Sequence, residues 1–238
     1  MSIQLRDVHF AYQPKMPEVF SGITLTIPDG QMVALVGPSG SGKTTLLQII
    51  GGVLKPTQGS VTVDVPAERM RWVFQNPTLL ARQSVRENID IAVHGEDWSA
   101  DDASARVAEM IKDVGLTGME NKPVNQLSGG QQQRVQIARA LASKPPLVLA
   151  DEPTGQLDHT TTGLVLDAIR AARDRGTTVV IVTHDQYVAA QCERIVTLED
   201  GGIKDDTGDS ADLHTSESKE GNESNASDTG EEANHGQA

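Results

Sequence analysis

The stretch that decides the fold is MVALVGPSGSGKTTLLQII, residues 32–50. An apolar run, a glycine-rich loop and a second apolar run follow one another, which predicts a buried strand, a turn and a helix. The loop matches the pattern G-x-x-x-x-G-K-[ST], in which backbone N–H groups and a helix N-terminus surround phosphate groups. We therefore expect a nucleotide phosphate site formed by Gly37, Pro38, Ser39, Gly40, Ser41, Gly42, Lys43, Thr44 and Thr45.

A second apolar run, PLVLADEP (residues 146–153), ends in two adjacent carboxylates. Adjacent side chains at a strand end point in opposite directions, so the two carboxylates can have different roles. We expect Asp151 to bind Mg²⁺ together with the hydroxyl of Thr44, and Glu152 to activate an attacking water. Such a pair alone could merely cap a turn, but beside a phosphate loop (Gly37–Thr44) it predicts a site for ATP with Mg²⁺.

Composition limits the class of protein. The chain has 238 residues, of which 37% are hydrophobic, enough for one α/β domain with or without a tail. Its formal net charge of -13 argues against a general nucleic-acid binder. The single cysteine, Cys192, cannot form an internal disulfide, and we expect an inert thiol in a reducing compartment. The N-terminus lacks the pattern of a secretory signal, and no run of eighteen apolar residues occurs.

Strand-like and helical segments alternate along the chain up to about residue 203. The runs LVLA (147–150) and TVVIV (178–182) are typical of strands buried on both faces of a parallel sheet, whereas the early strands favour antiparallel pairing. The segment 99–115 repeats apolar residues at helical spacing, which predicts a small helical lobe. Residues 204–238 hold ten acidic residues, two lysines and almost no large apolar residue, which predicts a disordered acidic tail.

Between the two phosphate-site motifs lies NQLSGGQQQRVQIARAL (residues 125–141), and with it the sequence resembles the ATP-binding cassette (ABC) family. The resemblance implies an α/β fold over residues 1–203: a P-loop NTPase core with a mainly parallel sheet, an N-terminal antiparallel β subdomain and a small α-helical subdomain at about 84–143. It also implies that two cassettes enclose two ATP molecules. The signature turn of one cassette, Ser128, Gly129 and Gly130, would then close over the ATP held by the other.

Further family positions are present in the expected order. The resemblance implies that Tyr12 stacks on adenine, that Gln75 contacts Mg²⁺ and the attacking water, and that Asp158 links the two sites of a dimer. It implies that His184 contacts the γ-phosphate. The expected catalytic residues are thus Glu152, His184 and Gln75, and the expected metal ligands are Thr44, Gln75 and Asp151.

Two features of the sequence indicate different types of cassette. The string ADEPTGQLD (residues 150–158) is similar to the DEPTGNLD of cassettes paired with lipoprotein-release, macrolide-export and cell-division permeases, although Gln156 departs from the usual asparagine. The short arm between Gln58 and Val73 is commoner in importers. Because these two features disagree, the sequence leaves the direction of transport open.

The resemblance also implies partners. We expect a separate transmembrane permease that docks near residues 76–90, and a second cassette, identical or different, with the chain on the cytoplasmic face of the membrane and no nucleic acid bound. Two alternatives stay open at this point. One is an ATPase that regulates a permease and moves no cargo, and the other is a soluble cassette that acts on nucleic acid or ribosomes.

Overall fold

The computed structural model describes residues 2–94 and 98–208. Within these residues the protein consists of two β-sheets covered by helices. The strands are β1 (Ser2–Phe10), β2 (Phe20–Pro28), β3 (Met32–Val36), β4 (Gln58–Val63), β5 (Met70–Val73), β6 (Leu147–Asp151), β7 (Thr178–Val182), β8 (Arg194–Glu199) and β9 (Gly202–Asp206). The helices are α1 (Lys43–Ile50), α2 (Val85–Asp90), α3 (Ala100–Asp113), α4 (Gly129–Ala142), α5 (His159–Asp174) and α6 (Gln186–Ala189).

The strand order separates an antiparallel sheet from a mainly parallel one. The smaller sheet has the order β2-β1-β4, and both of its pairings are antiparallel. The larger sheet has the order β5-β6-β7-β3-β8-β9, and all its neighbours are parallel except β8 and β9. The predicted α/β architecture, with an antiparallel N-terminal sheet and a parallel core, is therefore confirmed.

The central strands of the larger sheet are buried on both faces. Every residue of β7 is buried, and so are the first four of β3 and of β6. Alternate residues of these strands belong to two apolar cores, one beneath helices α2 to α5 and one between the sheet, α1 and the antiparallel strands. Burial on both faces explains why these strands are continuous apolar runs in the sequence.

The helical lobe packs as its sequence pattern predicts. Helix α3 begins after Ser99, whose side chain accepts a hydrogen bond from the backbone N–H of Asp102. Its apolar face is buried against α2, α4 and α5 through the residues that recur at helical spacing, Val107, Met110, Ile111 and Val114. The packing ties the lobe to the parallel core, because α4 contributes to both.

A buried arginine holds the end of α4. Arg106, on α3, is 4% exposed, and its guanidinium donates to the carbonyl oxygens of Leu141 at 2.9 Å and Ala142 at 3.2 Å. The same group pairs with the half-exposed carboxylate of Glu109 at 2.7 Å. Carbonyls in the last turn of a helix lack the usual partner four residues on. Arg106 supplies a donor to both of these buried carbonyls, and that of Leu141 also accepts from the backbone N–H of Lys144 at 3.2 Å.

The C-terminal edge of the sheet extends past the predicted boundary. The sequence predicts that the tail starts at residue 204, but β9 ends at Asp206, so the predicted start of the tail is too early. Arg194 donates from Nε and Nη2 to the two carboxylate oxygens of Asp206, at 2.7 and 2.6 Å. This long-range pair fixes a strand whose polar sequence gives no local signal. The rest of the predicted tail, residues 209–238, lies outside the described residues.

Cys192 is 2% exposed, at the end of the turn that follows α6. Burial raises the pKa of its thiol to about 12, so little thiolate forms near neutral pH. The prediction of an inert thiol agrees with this environment.

Replacing Arg106 by Ala should lower the free energy of unfolding by about 1–3 kcal/mol, because the buried carbonyl of Ala142 loses its side-chain donor and that of Leu141 keeps only a backbone one. The matched control is Lys112→Ala on the exposed face of the same helix, which should change stability by less than about 0.5 kcal/mol. Urea unfolding followed by circular dichroism measures both. Equal losses in the two variants would show that the arginine is not a stabilising cap of α4.

Candidate functional site

The carboxyl ends of three neighbouring parallel strands form the floor of a cleft, and residues of the phosphate loop line its wall. The phosphate loop follows β3, the pair Asp151–Glu152 ends β6, and His184 follows β7. The cleft has a volume of about 440 Å³. It is lined by Tyr12, Val19, Ser39, Gly40, Gly42, Lys43, Thr44, Thr45, Gln75, Asp151, Glu152 and Val182.

Two glycines of the phosphate loop lie so close to other atoms that no side chain would fit. Gly37 has φ 142°, and a Cβ at this position would collide with the carbonyl oxygen of Leu198 in β8. Gly42 has φ 91°, and a Cβ there would lie 2.5 Å from the ring of Phe20 in β2. Both positive φ values are costly for other residues. The loop is thus fixed between the two sheets, with its backbone facing the cleft.

The loop presents an anion site at the start of α1. The N-cap of this helix is Gly42, which has no side chain to accept from the first N–H groups, and the first turn carries no acidic residue. The ammonium of Lys43 folds over the loop and donates to the carbonyl oxygens of Gly37 at 2.9 Å and Pro38 at 2.8 Å. The buried hydroxyl of Ser41 has no protein partner in the described chain. Uncapped N–H groups, a nearby ammonium and a spare hydroxyl all suit a phosphate chain.

Asp151 and Thr44 come together as the sequence predicted for a Mg²⁺ site. The Thr44 hydroxyl donates to Oδ1 of Asp151 at 3.2 Å. The pKa of Asp151 is raised, mainly by burial and further by the charge of Glu152, while Thr44 and Lys43 act in the opposite direction. Among the described residues no group of three or more His, Cys, Asp or Glu could hold a metal by itself. A hydroxyl with one carboxylate fits Mg²⁺, which completes its shell with water and substrate phosphates.

Glu152 is directed toward His184 by an unusual backbone conformation. Its φ is 46°, in the left-handed region, and its N–H donates to the carbonyl oxygen of Val182 at 2.9 Å. One carboxylate oxygen accepts a 2.8 Å hydrogen bond from Nδ1 of His184. This hydrogen bond and the charge of Glu152 raise the pKa of His184, although the ring is 75% exposed. Strained backbone that presents a carboxylate is often found at catalytic sites.

Tyr12 lies at the open end of the cleft. Its hydroxyl is 2.7 Å from the hydroxyl of Thr45, and its ring meets the edge of Phe10 with 5.0 Å between ring centres. The residue is 58% exposed. The ring is therefore held at two places while one face stays open to a flat partner.

The signature turn and Asp158 do not line this cleft. Ser128 caps α4, where it forms a reciprocal capping box with Gln131. Asp158 caps α5 by accepting from the N–H and hydroxyl of Thr161, both at 2.9 Å. The structure thus brings the phosphate loop, Tyr12, Gln75, Asp151, Glu152 and His184 into one site, and leaves Ser128, Gly129, Gly130 and Asp158 elsewhere on the chain.

Some residues near the site were not found from the sequence. Val19 and Val182 line the cleft, but as apolar residues they carry no chemical signal. Gln133 and Gln136 of α4 donate to the carbonyl oxygen of Phe74, directly before Gln75. Their helical position gives no indication of contacts about 60 residues away in the chain.

The chain is similar to proteins of a known family. A family model described as "ABC transporter" matches residues 20–155. The macrolide export ATP-binding/permease protein MacB 1 of Aeromonas hydrophila is 41% identical over 209 residues, and MacB of Salmonella typhimurium is 43% identical over 199 residues. These alignments cover 82% and 78% of this chain but 32% and 31% of those proteins, so the chain spans about a third of their length.

The fold of this chain is similar to nearly the whole of one solved structure. That structure is the post-hydrolysis dimer of the ATP-binding cassette MJ0796 bound to ADP and Pi, which is 36% identical in sequence with a TM-score of 0.75. The similarity covers 86% of this chain and 97% of that one.

The histidine–carboxylate pair makes a prediction about pH. We expect His184 to titrate above the usual histidine pKa of about 6.5, and Glu152→Gln to bring its pKa back toward that value, because the negative partner is lost. Because the folded-state pKa is raised, the pair stabilises the fold fully below about pH 6.5 and loses this effect as pH rises through the folded pKa.

The measurement is an NMR titration of the imidazole C–H resonances, assigned with His184→Gln. Glu109→Gln, a carboxylate change on α3, is the control and should leave the His184 curve unchanged. An unchanged His184 pKa in Glu152→Gln would contradict the hydrogen bond as its cause.

Proposed function

Because the chain belongs to the ABC transporter family, as an ATP-hydrolysing cassette, we propose that two such cassettes bind ATP between them and drive a separate membrane permease. One observation carries this proposal. The phosphate loop and both carboxylates share one cleft, while a second helix N-terminus suited to an anion, the signature turn at the start of α4, lies outside it. A second copy, turned head to tail, brings the missing element to the cleft.

The cleft residues divide the binding of ATP among them. We assign adenine stacking to the exposed ring of Tyr12, and the β- and γ-phosphates to the ammonium of Lys43. In the free protein this ammonium rests on the loop carbonyls, from which phosphate oxygens would draw it away because charged partners bind more strongly. The remaining phosphate contacts come from the N–H groups and hydroxyls of Gly37, Pro38, Ser39, Gly40, Ser41, Gly42, Thr44 and Thr45.

We propose Mg²⁺ as the metal, held by Thr44 and Asp151 with Gln75 as an additional ligand. The hydroxyl and carboxylate are already within 3.2 Å of each other. When bound, the cation neutralises charge on the phosphates and favours their transfer to water. Gln75 lines the same cleft, so its side chain is available to the metal and to the attacking water.

Glu152 is the proposed general base, and His184 its orienting partner. Its side chain is 14% exposed, which limits access to bulk water, and the 2.8 Å hydrogen bond to His184 sets the direction of the carboxylate. One carboxylate oxygen is bonded to the imidazole, and the other is the proposed acceptor of the proton from water. The imidazole is mostly exposed, so it can also reach the γ-phosphate of a bound nucleotide.

The second cassette completes each site. We assign Ser128, Gly129 and Gly130 to the γ-phosphate of the opposite subunit, where the hydroxyl and helix N–H groups add to those of the phosphate loop. We assign Asp158, which lies in the turn that follows Glu152 and caps α5, to the link between the two sites of the dimer. ATP then joins the two subunits, and hydrolysis separates them.

The permease is proposed to dock on the segment from residue 76 to residue 90 and its neighbours. Leu80 and Ile91 are large apolar residues that are 49% and 50% exposed, and Arg82 is exposed between them. Exposed apolar residues with an adjacent charge are typical of a protein interface. No helix within the described residues has the length and apolarity to cross a bilayer. We propose that the chain lies at the cytoplasmic face of the membrane, attached through the permease.

We propose a permease of the macrolide-export type. The two MacB relatives are named as combined ATP-binding and permease proteins, and this chain matches about a third of each. Their identity of 41–43% outweighs the short arm between β4 and β5, which favoured importers. The string ADEPTGQLD, which is similar to that of cassettes paired with macrolide-export permeases, points in the same direction.

Replacing Glu152 by Gln should keep ATP binding but lower the turnover number by about 10²–10⁴-fold, because the base is lost. The variant should accumulate as a closed dimer with ATP and Mg²⁺. Lys43→Ala should weaken ATP binding by roughly 10–100-fold and stay monomeric, because a charged phosphate contact is removed. Light scattering after size-exclusion chromatography measures the dimer, and calorimetry measures the affinity for ATP.

Glu68→Gln, at an exposed carboxylate before β5, is the control and should behave as the natural chain. A Glu152→Gln protein that remains monomeric at saturating ATP and Mg²⁺ would rule out the shared-site dimer.

Charge reversal at Arg82 and Arg86 should weaken co-purification with the permease by roughly tenfold, because two interface cations become repulsive. The control reverses the charge of Arg69 and Arg175, two exposed arginines. They precede β5 and β7, at the amino ends of these parallel strands, whereas residues 76–90 follow the carboxyl end of β5. This control changes the net charge by the same amount and should leave binding intact. Full retention of the permease by the Arg82/Arg86 variant would place the docking surface elsewhere.

A further inference from the structure

The loop that carries Gln75 has little structure of its own. This glutamine loop, Phe74–Thr78, follows β5 and contains neither strand nor helix in the structure. Its central residue lines the nucleotide cleft. A segment without backbone ladders must be held by side chains from elsewhere if it is to present one residue in a fixed position.

A single buried amide bridges both ends of the glutamine loop. Gln136, on α4, is fully buried. Its Nε2 donates to the carbonyl oxygen of Phe74 at 2.8 Å, and its Oε1 accepts from the backbone N–H of Thr78 at 2.9 Å. The Thr78 hydroxyl donates to the same oxygen at 3.3 Å. The carbonyl can only accept and the N–H can only donate, so these partners fix the orientation of the amide.

Two more side chains from the same face of α4 hold the loop. Gln133, also fully buried, donates to the Phe74 carbonyl at 3.1 Å, and Arg139 donates to the carbonyl of Thr78. Residues 133, 136 and 139 are spaced three apart, which places them on one side of the helix. From the other side of the loop, Gln156 donates to the carbonyl of Gln75 at 3.3 Å.

We infer that Gln136 is a positioning residue for Gln75, whose amide fixes the glutamine loop to the signature helix of the same chain. The inference rests on the proposed role of Gln75 at the metal and the attacking water. Gln136 is the one of these side chains that meets both ends of the loop, so it sets the distance between Phe74 and Thr78. Since α4 begins at the signature turn, a displacement of the loop by a docked permease is passed to the turn that faces the second nucleotide.

An amide is the group this position needs. It donates and accepts at once. A carboxylate would meet the Phe74 carbonyl without a proton to donate, and an apolar side chain would leave the N–H of Thr78 and the C=O of Phe74 without this partner. Gln133 contacts only one end of the loop, so losing it removes one of two donors to Phe74 and leaves Thr78 held.

The test compares Gln136→Met, which keeps the length of the side chain and removes both hydrogen-bonding groups, with Gln75→Ala and with the double variant. We expect Gln136→Met to lower kcat by about 10–100-fold, because a small misplacement of a positioned group is costly. The KM for ATP should stay within about twofold, because the phosphate loop is intact, and the Mg²⁺ concentration for half-maximal activity should rise. The double variant should be no slower than Gln75→Ala alone, since both changes remove one function.

Gln133→Met is the matched control and should lower kcat by clearly less than Gln136→Met. If Gln136→Met does not fold, Gln136→Asn replaces it, because it keeps both amide groups about 1.5 Å short of the loop.

A normal kcat in Gln136→Met beside a reduced one in Gln75→Ala would overturn the inference and leave the proposed function standing. Multiplicative effects in the double variant would overturn it too, because Gln136 would then act independently of Gln75. A normal kcat in Gln75→Ala would overturn both the inference and the role proposed for Gln75, while dimer formation by Glu152→Gln would still test the rest of the proposed function.

Discussion

The parallel pairing of β3, β6 and β7 is the constraint on which the rest of the site depends. Asp151 pairs with Val182, so the strand that supplies the carboxylates ends beside the strand that leads to His184. β7 also pairs with β3, which leads into the phosphate loop. Residues of β6 alternate between the two apolar cores. A shift of β6 by one residue would therefore move each of its side chains to the other core and turn the carboxylates away from the loop. The site is precise because the core admits one register.

Helix α4 connects parts of the molecule that are far apart in the sequence. Its first turn carries the signature residues, its middle holds the glutamine loop, and its last carbonyls accept from Arg106. An element fixed at its middle and its end moves as a unit, so its first turn follows the position of the loop. The three contacts also explain why a mainly polar helix is well packed, since its buried glutamines have specific partners.

Local patterns predicted the parts of the fold that depend on neighbouring residues. The phosphate loop, the amphipathic helix α3 and the apolar strands could be predicted because each depends on a few consecutive side chains. Strand β9 was missed because its support, the pair between Arg194 and Asp206, is a tertiary contact. The glutamines of α4 were missed for the same reason: a buried and an exposed glutamine are identical in sequence, and only the fold shows which one meets a carbonyl.

The proposed cation would offset the charge of the two carboxylates of the site. Asp151 and Glu152 are adjacent and largely withdrawn from water, and the raised pKa of Asp151 records the cost of keeping both charged. A nucleotide would bring more negative charge to the same place, against which the phosphate loop offers the single ammonium of Lys43 and the partial charge of one helix. Binding of phosphate and of a divalent cation must therefore favour each other, because each reduces the electrostatic cost of the other. In the proposed site, Gln75 can join that cation without adding to the repulsion, because its side chain is neutral.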